Sequence, residues 1–337
     1  MDSKTSERIS TISFLMTCMI VMYHAGSTLS AINAYDTFLN DFINNSAEQL
    51  ARFAMSFFFM TTGFLLFRDL NFQNYTTKIK KRVTSLLIPY IIWQIIGVPF
   101  SIKTGQPWTM SSFIKKCFLF DAWPADGPLW YVYVVFILAV LSPFLLILFK
   151  NKMVGLIAIL VIFYVTNGSI GQFVGSYGYV GNIIWYLPSY LFGSYWGHFH
   201  SDSMDDLNGL KDFAFIILVA FLGDCIKGGT LMEIFLRILP LIALYFFPTF
   251  NVFKNQKVIK VMNISFLIYA LHRPLMIYTQ PHAYNIISEI TDYAFINNIL
   301  GRILTAIMII TIAYIFSLLL NKFAPKILSL LTGGRAH

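Results

Sequence analysis

Charge is scarce in this chain. Only 12% of its 337 residues are Asp, Glu, Lys or Arg, where a water-soluble domain carries about a quarter. That scarcity excludes an ordinary soluble globule. Cysteine is rarer still: Cys18, Cys117 and Cys225 are an odd number with no redox or metal-ligand spacing, which excludes a disulfide framework. Cys18 and Cys225 lie in apolar runs and Cys117 near one, so all three read as small hydrophobes. No motif for a metal is present. Low-complexity tracts and internal repeats are also missing, and no loop is long enough to fold as a domain of its own.

What is there is apolar: 57% of the residues are hydrophobic, in runs that recur along the whole length. About ten runs approach the ~20 residues that a bilayer core requires: 9–31, 49–68, 83–102, 129–149, 153–167, 183–200, 213–227, 231–250, 264–280 and 298–321. The fold class is therefore all-α, a polytopic membrane helix bundle of about ten transmembrane helices, with 1–337 as one integral-membrane domain. Lys4 and Arg8 precede the first run as in a signal peptide. That run is longer than an h-region and lacks a small-residue cleavage site, so a retained first helix is expected. The net charge of +8 does not call for a nucleic acid, because the cations cluster in short segments between apolar runs. With the N-terminus inside, 16 of the 24 Lys and Arg residues fall on the inner side, a bias that places both termini in the cytoplasm.

Three places break the apolar pattern. The first is His24, at the far end of the first run in "MIVMYHAGS". Thr17 and Ser13 lie within ~20° of it around a helix, and Phe14, Leu15, Met19 and Met22 lie opposite, so the first helix has one polar stripe. An ionisable group inside a membrane faces the bundle interior or a wet cavity. His24 stands ~24 Å above Arg8, in the outer half. A packing role, bonded to a neighbouring helix, is the alternative. The second place is "YTTKIKKR", where Lys78, Lys80, Lys81 and Arg82 crowd the inner mouth of the third run. Such clusters bind phosphates, although topology and anionic headgroups also explain them. The third is His272 and Arg273, near the midplane of the ninth run, where arginine needs a partner. In the outer loop 103–128, Asp121, Trp123, Asp126 and Trp130 combine aromatic faces with carboxylates, a set suited to sugar rings and hydroxyls; an interfacial aromatic belt explains the tryptophans equally.

Four stretches in order resemble the acyltransferase family 3 of membrane proteins: "ISFLMTCMIVMYH" (12–24), "SFFFMTTGFLLFR" (56–68) with "KKRVTSLLIPY" (80–90), "GPLWYVYVVFILAVLSP" (127–143) and "SFLIYALHRPL" (265–275). The resemblance runs from about residue 9 to 280. It implies transfer of an acyl group, usually acetyl, from cytoplasmic acyl-coenzyme A to a sugar hydroxyl of a surface polysaccharide or its lipid-linked precursor, in the bacterial plasma membrane. It matches His24 to the family's first-helix histidine and Lys81 and Arg82 to its basic segment. Many members carry arginine where this chain has Ser13, and a second arginine where it has Ser85.

Acyl transfer to an alcohol needs a base and an oxyanion donor. His24 is the expected base or transient acyl carrier, and His272 with Arg273 is expected to form a site wall or an oxyanion and thioester contact. Lys78, Lys80, Lys81 and Arg82 are expected to hold the phosphates of acetyl-coenzyme A, with its arm along Ser13 and Thr17. Asp121, Trp123, Asp126 and Trp130 are expected to hold the acceptor. A glycan transporter, a succinyl donor, or a lipid or small-molecule acceptor stays open at this point, as does the oligomeric state.

Overall fold

The computed structural model describes residues 3–26, 30–105, 108–119, 123–166, 179–200, 211–212, 214, 217–218, 231–246 and 250–335. All of its regular elements are helices, and there is no strand among the described residues. In chain order they are α1 (Ser3–His24), α2 (Ala34–Phe67), α3 (Tyr75–Arg82), a π-turn (Val83–Leu87) that leads into α4 (Ile88–Lys103), and α5 (Met110–Cys117). A 3-10 turn (Gly127–Leu129) opens α6 (Trp130–Val140), followed by α7 (Ser142–Leu148), α8 (Lys152–Thr166), α9 (Tyr179–Phe199) and α10 (Leu231–Phe246). The last are α11 (Gln256–Met262), α12 (Ser265–Ser288), α13 (Ala294–Phe323) and α14 (Pro325–Thr332).

The chain divides into two compact units. The first holds Met1–Ile9, Met55–Thr84 and Tyr131–Thr249, and the second Ser10–Ala54, Ser85–Trp130 and Phe250–His337.

In the first unit the C-terminal half of α2 packs on α9 through glycine. A Cβ at Gly193 would stand 2.0 Å from the Met60 carbonyl oxygen, one at Gly197 2.3 Å from that of Phe64, and one at Gly63 2.5 Å from that of Tyr190. Only hydrogen fits at these three places, so the two backbones touch, as small residues four apart allow in membrane helices. Beside them the rings of Phe59 and Tyr186 stack 5.3 Å apart and 4° from parallel. Between α6 and α7 the chain bends by 53°. Pro143, in the first turn of α7, has no N–H to continue the ladder.

In the second unit α13 shows why the chain needs a membrane. Apart from Ile309, its buried stripe is small or polar: Ala294, Asn297, Asn298, Gly301, Arg302, Thr305, Ala306, Ala313 and Ser317. Its exposed side is Ile299, Ile303, Ile307, Ile315, Leu318 and Leu319. That polarity is the inverse of a soluble helix and suits a lipid surroundings. Side-chain bonds tie the rest together. The Trp93 indole donates to the Leu331 carbonyl at 2.9 Å, which docks the tail helix α14 on α4. The Tyr90 hydroxyl donates to the Cys117 carbonyl at 2.7 Å, which docks α5. Asp36 accepts from the amides of Ala294 and Phe295 at 3.0 and 2.9 Å and so caps α13 with a carboxylate, where the helix dipole favours one.

Ten spans were expected. Three described stretches are long and apolar enough to cross a membrane, Ala34–Phe67, Tyr75–Lys103 and Ala294–Phe323, with the bent pair Gly127–Val140 and Ser142–Leu148 as a fourth if it counts as one span. The shortfall has a physical cause. Helices α1, α9 and α12 have 22, 21 and 24 residues, which is length enough, but polar side chains dilute their hydropathy. Helix α8 and the apolar part of α10 are shorter than a span, and most of 213–227 lies outside the described residues. Three expected outer loops are partly helix: α2 begins at Ala34 within 32–48, α5 lies within 103–128, and α12 runs to Ser288 within 281–297.

Candidate active site

Helix α1 ends at His24, two residues before Gly26, a residue type at which helices commonly stop. The Ala25 amide still bonds the Val21 carbonyl at 3.1 Å. Beyond that point side chains of α12 and α13 take the carbonyls of α1. The Tyr284 hydroxyl donates to Ala25 at 2.7 Å, and the Gln280 amide donates to Gly26 at 2.6 Å. Arg302 Nη1 donates to Met22 and Tyr23 at 2.6 and 2.9 Å. Tyr284 reaches α1 by lying over Gly301, where a Cβ would stand 2.4 Å from its ring.

This closure sets the His24 ring, half-buried, 5.3 Å from the His272 ring, centroid to centroid, at 31°. His272 is fully buried. Its Nδ1 lies 2.5 Å from the Tyr269 carbonyl oxygen. A carbonyl only accepts, so the proton is on Nδ1 and the Nε2 lone pair is free. Nε2 has no hydrogen-bond partner among the described residues. A neutral His272 in this tautomer accepts a proton and has no second N–H for an oxyanion. Tyr269 donates in turn to the Pro128 carbonyl, which ties the turn before Trp130 to α12. Arg273, one residue on, is exposed, and its charge acts on His24, His272 and Asp126.

Asp126 is 2% exposed, and neither carboxylate oxygen has a hydrogen-bond partner among the described residues. Burial pushes its carboxyl well above the ordinary carboxylate range, against the pull of Arg273. Gln94 holds this segment in place, accepting from the Ala125 and Asp126 amides at 2.8 and 3.4 Å. Trp130 is buried and Trp123 exposed, with rings 6.3 Å apart in an edge arrangement. Asp121 lies outside the described residues. On α1, Thr17 is buried and its hydroxyl donates to the Ser13 carbonyl at 2.8 Å, so its proton is held within the helix.

The basic segment belongs to the first unit. Lys80 and Lys81 are exposed, whereas Lys78 and Arg82 are half-buried. Lys78 lies 3.9 Å from Asp69. The hydrogen bond from Arg68 is the largest cause that holds the Asp69 carboxyl below its usual range, and Lys78 adds to it. Arg82 is close enough to Tyr131 and Tyr190 for their hydroxyls to act on its charge. Tyr131 donates to the Phe58 carbonyl at 2.9 Å and meets the Thr62 hydroxyl at 2.7 Å. The Tyr190 hydroxyl is buried with no partner among the described residues. In the second unit the Ser85 carbonyl accepts from Arg335 at 2.8 Å.

Sequence reasoning missed Arg302, which it counted only for topology. The available signal was an arginine four residues into the last apolar run, a position that requires partners. It also passed over His200, whose Nε2 lies 2.9 Å from Asp212; Lys152 and Tyr195 meet the same carboxylate at 2.9 Å each.

Residues 13–318 match the family described as Acyltransferase domain. The match covers nearly the whole chain and includes both histidines, and the chain belongs to this family of membrane acyltransferases. No curated protein matches the chain, and no solved structure does.

Proposed function

We propose that the chain is an O-acyltransferase of the bacterial plasma membrane, with about ten spans and both termini inside. It moves an acyl group, most simply acetyl, from cytoplasmic acyl-coenzyme A to a sugar hydroxyl of a surface polysaccharide or its lipid-linked precursor. The observation that carries this reading is the His24–His272 pair at the end of a clamped helix, in a chain of the acyltransferase family.

His24 takes the proton of the acceptor hydroxyl as its oxygen attacks the thioester carbon. The C–S bond breaks, and the leaving thiolate takes that proton back from the imidazolium. In the alternative route the His24 nitrogen attacks the thioester carbon, the C–S bond breaks and the imidazole proton passes to the leaving thiolate; the acceptor oxygen then attacks the acyl carbon, the C–N bond breaks and the hydroxyl proton returns to the imidazole. His272, fixed by Tyr269, orients His24 by packing its ring against it. Arg273 supplies positive charge near the developing oxyanion. The assignment of Lys78, Lys80, Lys81 and Arg82 to the donor phosphates rests on their charge, and that of Ser13 and Thr17 to its arm on their place on the His24 face of α1. Asp121, Trp123, Asp126 and Trp130 are assigned to the acceptor, and a buried Asp126 carboxyl that keeps its proton both donates to and accepts from a sugar hydroxyl.

The test is mass spectrometry of surface glycans from strains that carry the native chain, His24→Ala, or no chain. The native strain alone shows the added acyl mass, which also tells acetyl from succinyl, while His24→Ala inserts at the native level. Full acylation by His24→Ala removes His24 from the mechanism. Glycans that are identical with and without the chain overturn the acceptor class.

A further inference from the structure

We propose that Arg302 is a positioning residue: its guanidinium clamps the exit of α1 and thereby holds the His24 imidazole against His272. The proposal rests on the reading of His24 as the reacting base.

Four hydrogen bonds fix the guanidinium. Nη1 donates to the Met22 and Tyr23 carbonyls at 2.6 and 2.9 Å, the two residues before His24. Nη2 donates to the Asn44 side-chain oxygen at 2.7 Å, and Nε to that of Asn298 at 2.7 Å. Asn298 is itself held, donating to Asn40 and Asn44 at 2.7 and 2.8 Å. Arg302 is 6% exposed, and among the described residues no carboxylate forms an ion pair with it. Its charge is met by the carbonyl end of α1, the negative pole of the helix dipole. A carboxylate partner would have anchored the arginine anywhere a carboxylate can be placed. Helix-end carbonyls anchor it only where α1 stops, so the bond reports the position of that end.

A guanidinium suits this task because its planar fork reaches two carbonyls and two amide oxygens at once, which an ammonium cannot do in fixed geometry. The local sequence makes room for it. Gly26 lies against the guanidinium, and a Cβ there would stand 2.7 Å from Nη2. Gly26→Ala therefore pushes the guanidinium off its hydrogen bonds and meets no backbone atom.

The experiment compares native chain, Arg302→Gln and Gly26→Ala in membranes. Carbethoxylation of each histidine by diethyl pyrocarbonate is followed by mass spectrometry, alongside glycan acylation. His282, which is exposed, reports reagent access, and fully buried His272 reports unfolding. In both variants His24 is expected to label at least threefold faster while His272 stays protected and His282 is unchanged, and acylation is expected to fall at least tenfold. Native-rate labelling of His24 with native acylation in Gly26→Ala overturns the proposal. So does labelling of His272 together with His24 in both variants, since Arg302 would then hold up the fold rather than the histidine. Faster His24 labelling in a chain whose native form leaves glycans unacylated keeps the clamp and overturns the glycan reading instead.

Discussion

The His24 and His272 rings lie 5.3 Å apart, and only one of them has its tautomer fixed by a backbone carbonyl. The two imidazoles are therefore unequal. His272 is buried with a defined lone pair, and His24 is half-buried. An asparagine at 272 keeps an N–H for the Tyr269 carbonyl and loses the free lone pair. His272→Asn is expected to fold normally and to lower acyl transfer by about 10- to 100-fold, less than the loss of a general base itself. Rates of coenzyme A release in membranes measure this. Native rates in His272→Asn would remove the pair from the mechanism.

What was legible in the sequence follows from how far each signal travels along the chain. His24 was legible because a histidine among apolar residues violates a local pattern, and Ser13 and Thr17 fall on its face by helix periodicity alone. His272 and Arg273 were legible for the same reason. The clamp was not, because it joins Met22, Asn44 and Arg302, which are brought together only by the fold. Helices α1 and α12 fall short of the hydropathy of a span because polar residues such as Arg8, His24, His272 and Arg273 interrupt their apolar runs. The helical start of 34–48 was missed because its polar residues read as loop, while Asn40 and Asn44, one turn apart, serve as half-buried acceptors.

The basic segment is expected to act unevenly. Lys80 and Lys81 are exposed and Arg82 is half-buried beside Tyr131 and Tyr190. A partly desolvated guanidinium–phosphate contact contributes about 1.5–3 kcal/mol, against less than ~1 kcal/mol for an exposed cation. Arg82→Ala should raise the KM for acetyl-coenzyme A by about 10- to 100-fold. Lys80→Ala and Lys81→Ala should each change it by less than about fivefold. An unchanged KM in all three variants would assign these cations to topology.

Asp212 gives a pH prediction for the first unit. Burial raises its carboxyl pKa, but the hydrogen bonds from Lys152, His200 and Tyr195 outweigh that and leave it below the ordinary 3.8. A carboxyl depressed on folding stabilises the fold above its unfolded value, and that contribution is lost as the pH falls through its lower folded value. Asp212→Asn is expected to cost about 1–2 kcal/mol at pH 7. In detergent the melting midpoint should drop by about 2–6 °C. The gap between native and Asp212→Asn should close as the pH falls below 3.8. A gap that persists there would mean that the amide clashes sterically.

The glycine contact between α2 and α9 should tolerate nothing larger. A methyl group at Gly193 would sit 2.0 Å from the Met60 carbonyl oxygen, and the atom in the way is backbone, which cannot rotate aside. The helices must separate, losing contact along Gly63, Gly193 and Gly197 together. Gly155 is a fair comparison, since a Cβ there meets only the rings of Phe149 and Tyr195, at 3.0 and 3.2 Å, and rings can turn. Overpacking costs about 1–3 kcal/mol in a well-packed core, and a backbone clash belongs at or above the top of that range. Gly193→Ala is expected to lower the thermal midpoint in detergent by about 6 °C or more, with Gly155→Ala shifting it by less than half as much. Equal midpoints for the two would show that α2 and α9 are not in backbone contact at Met60.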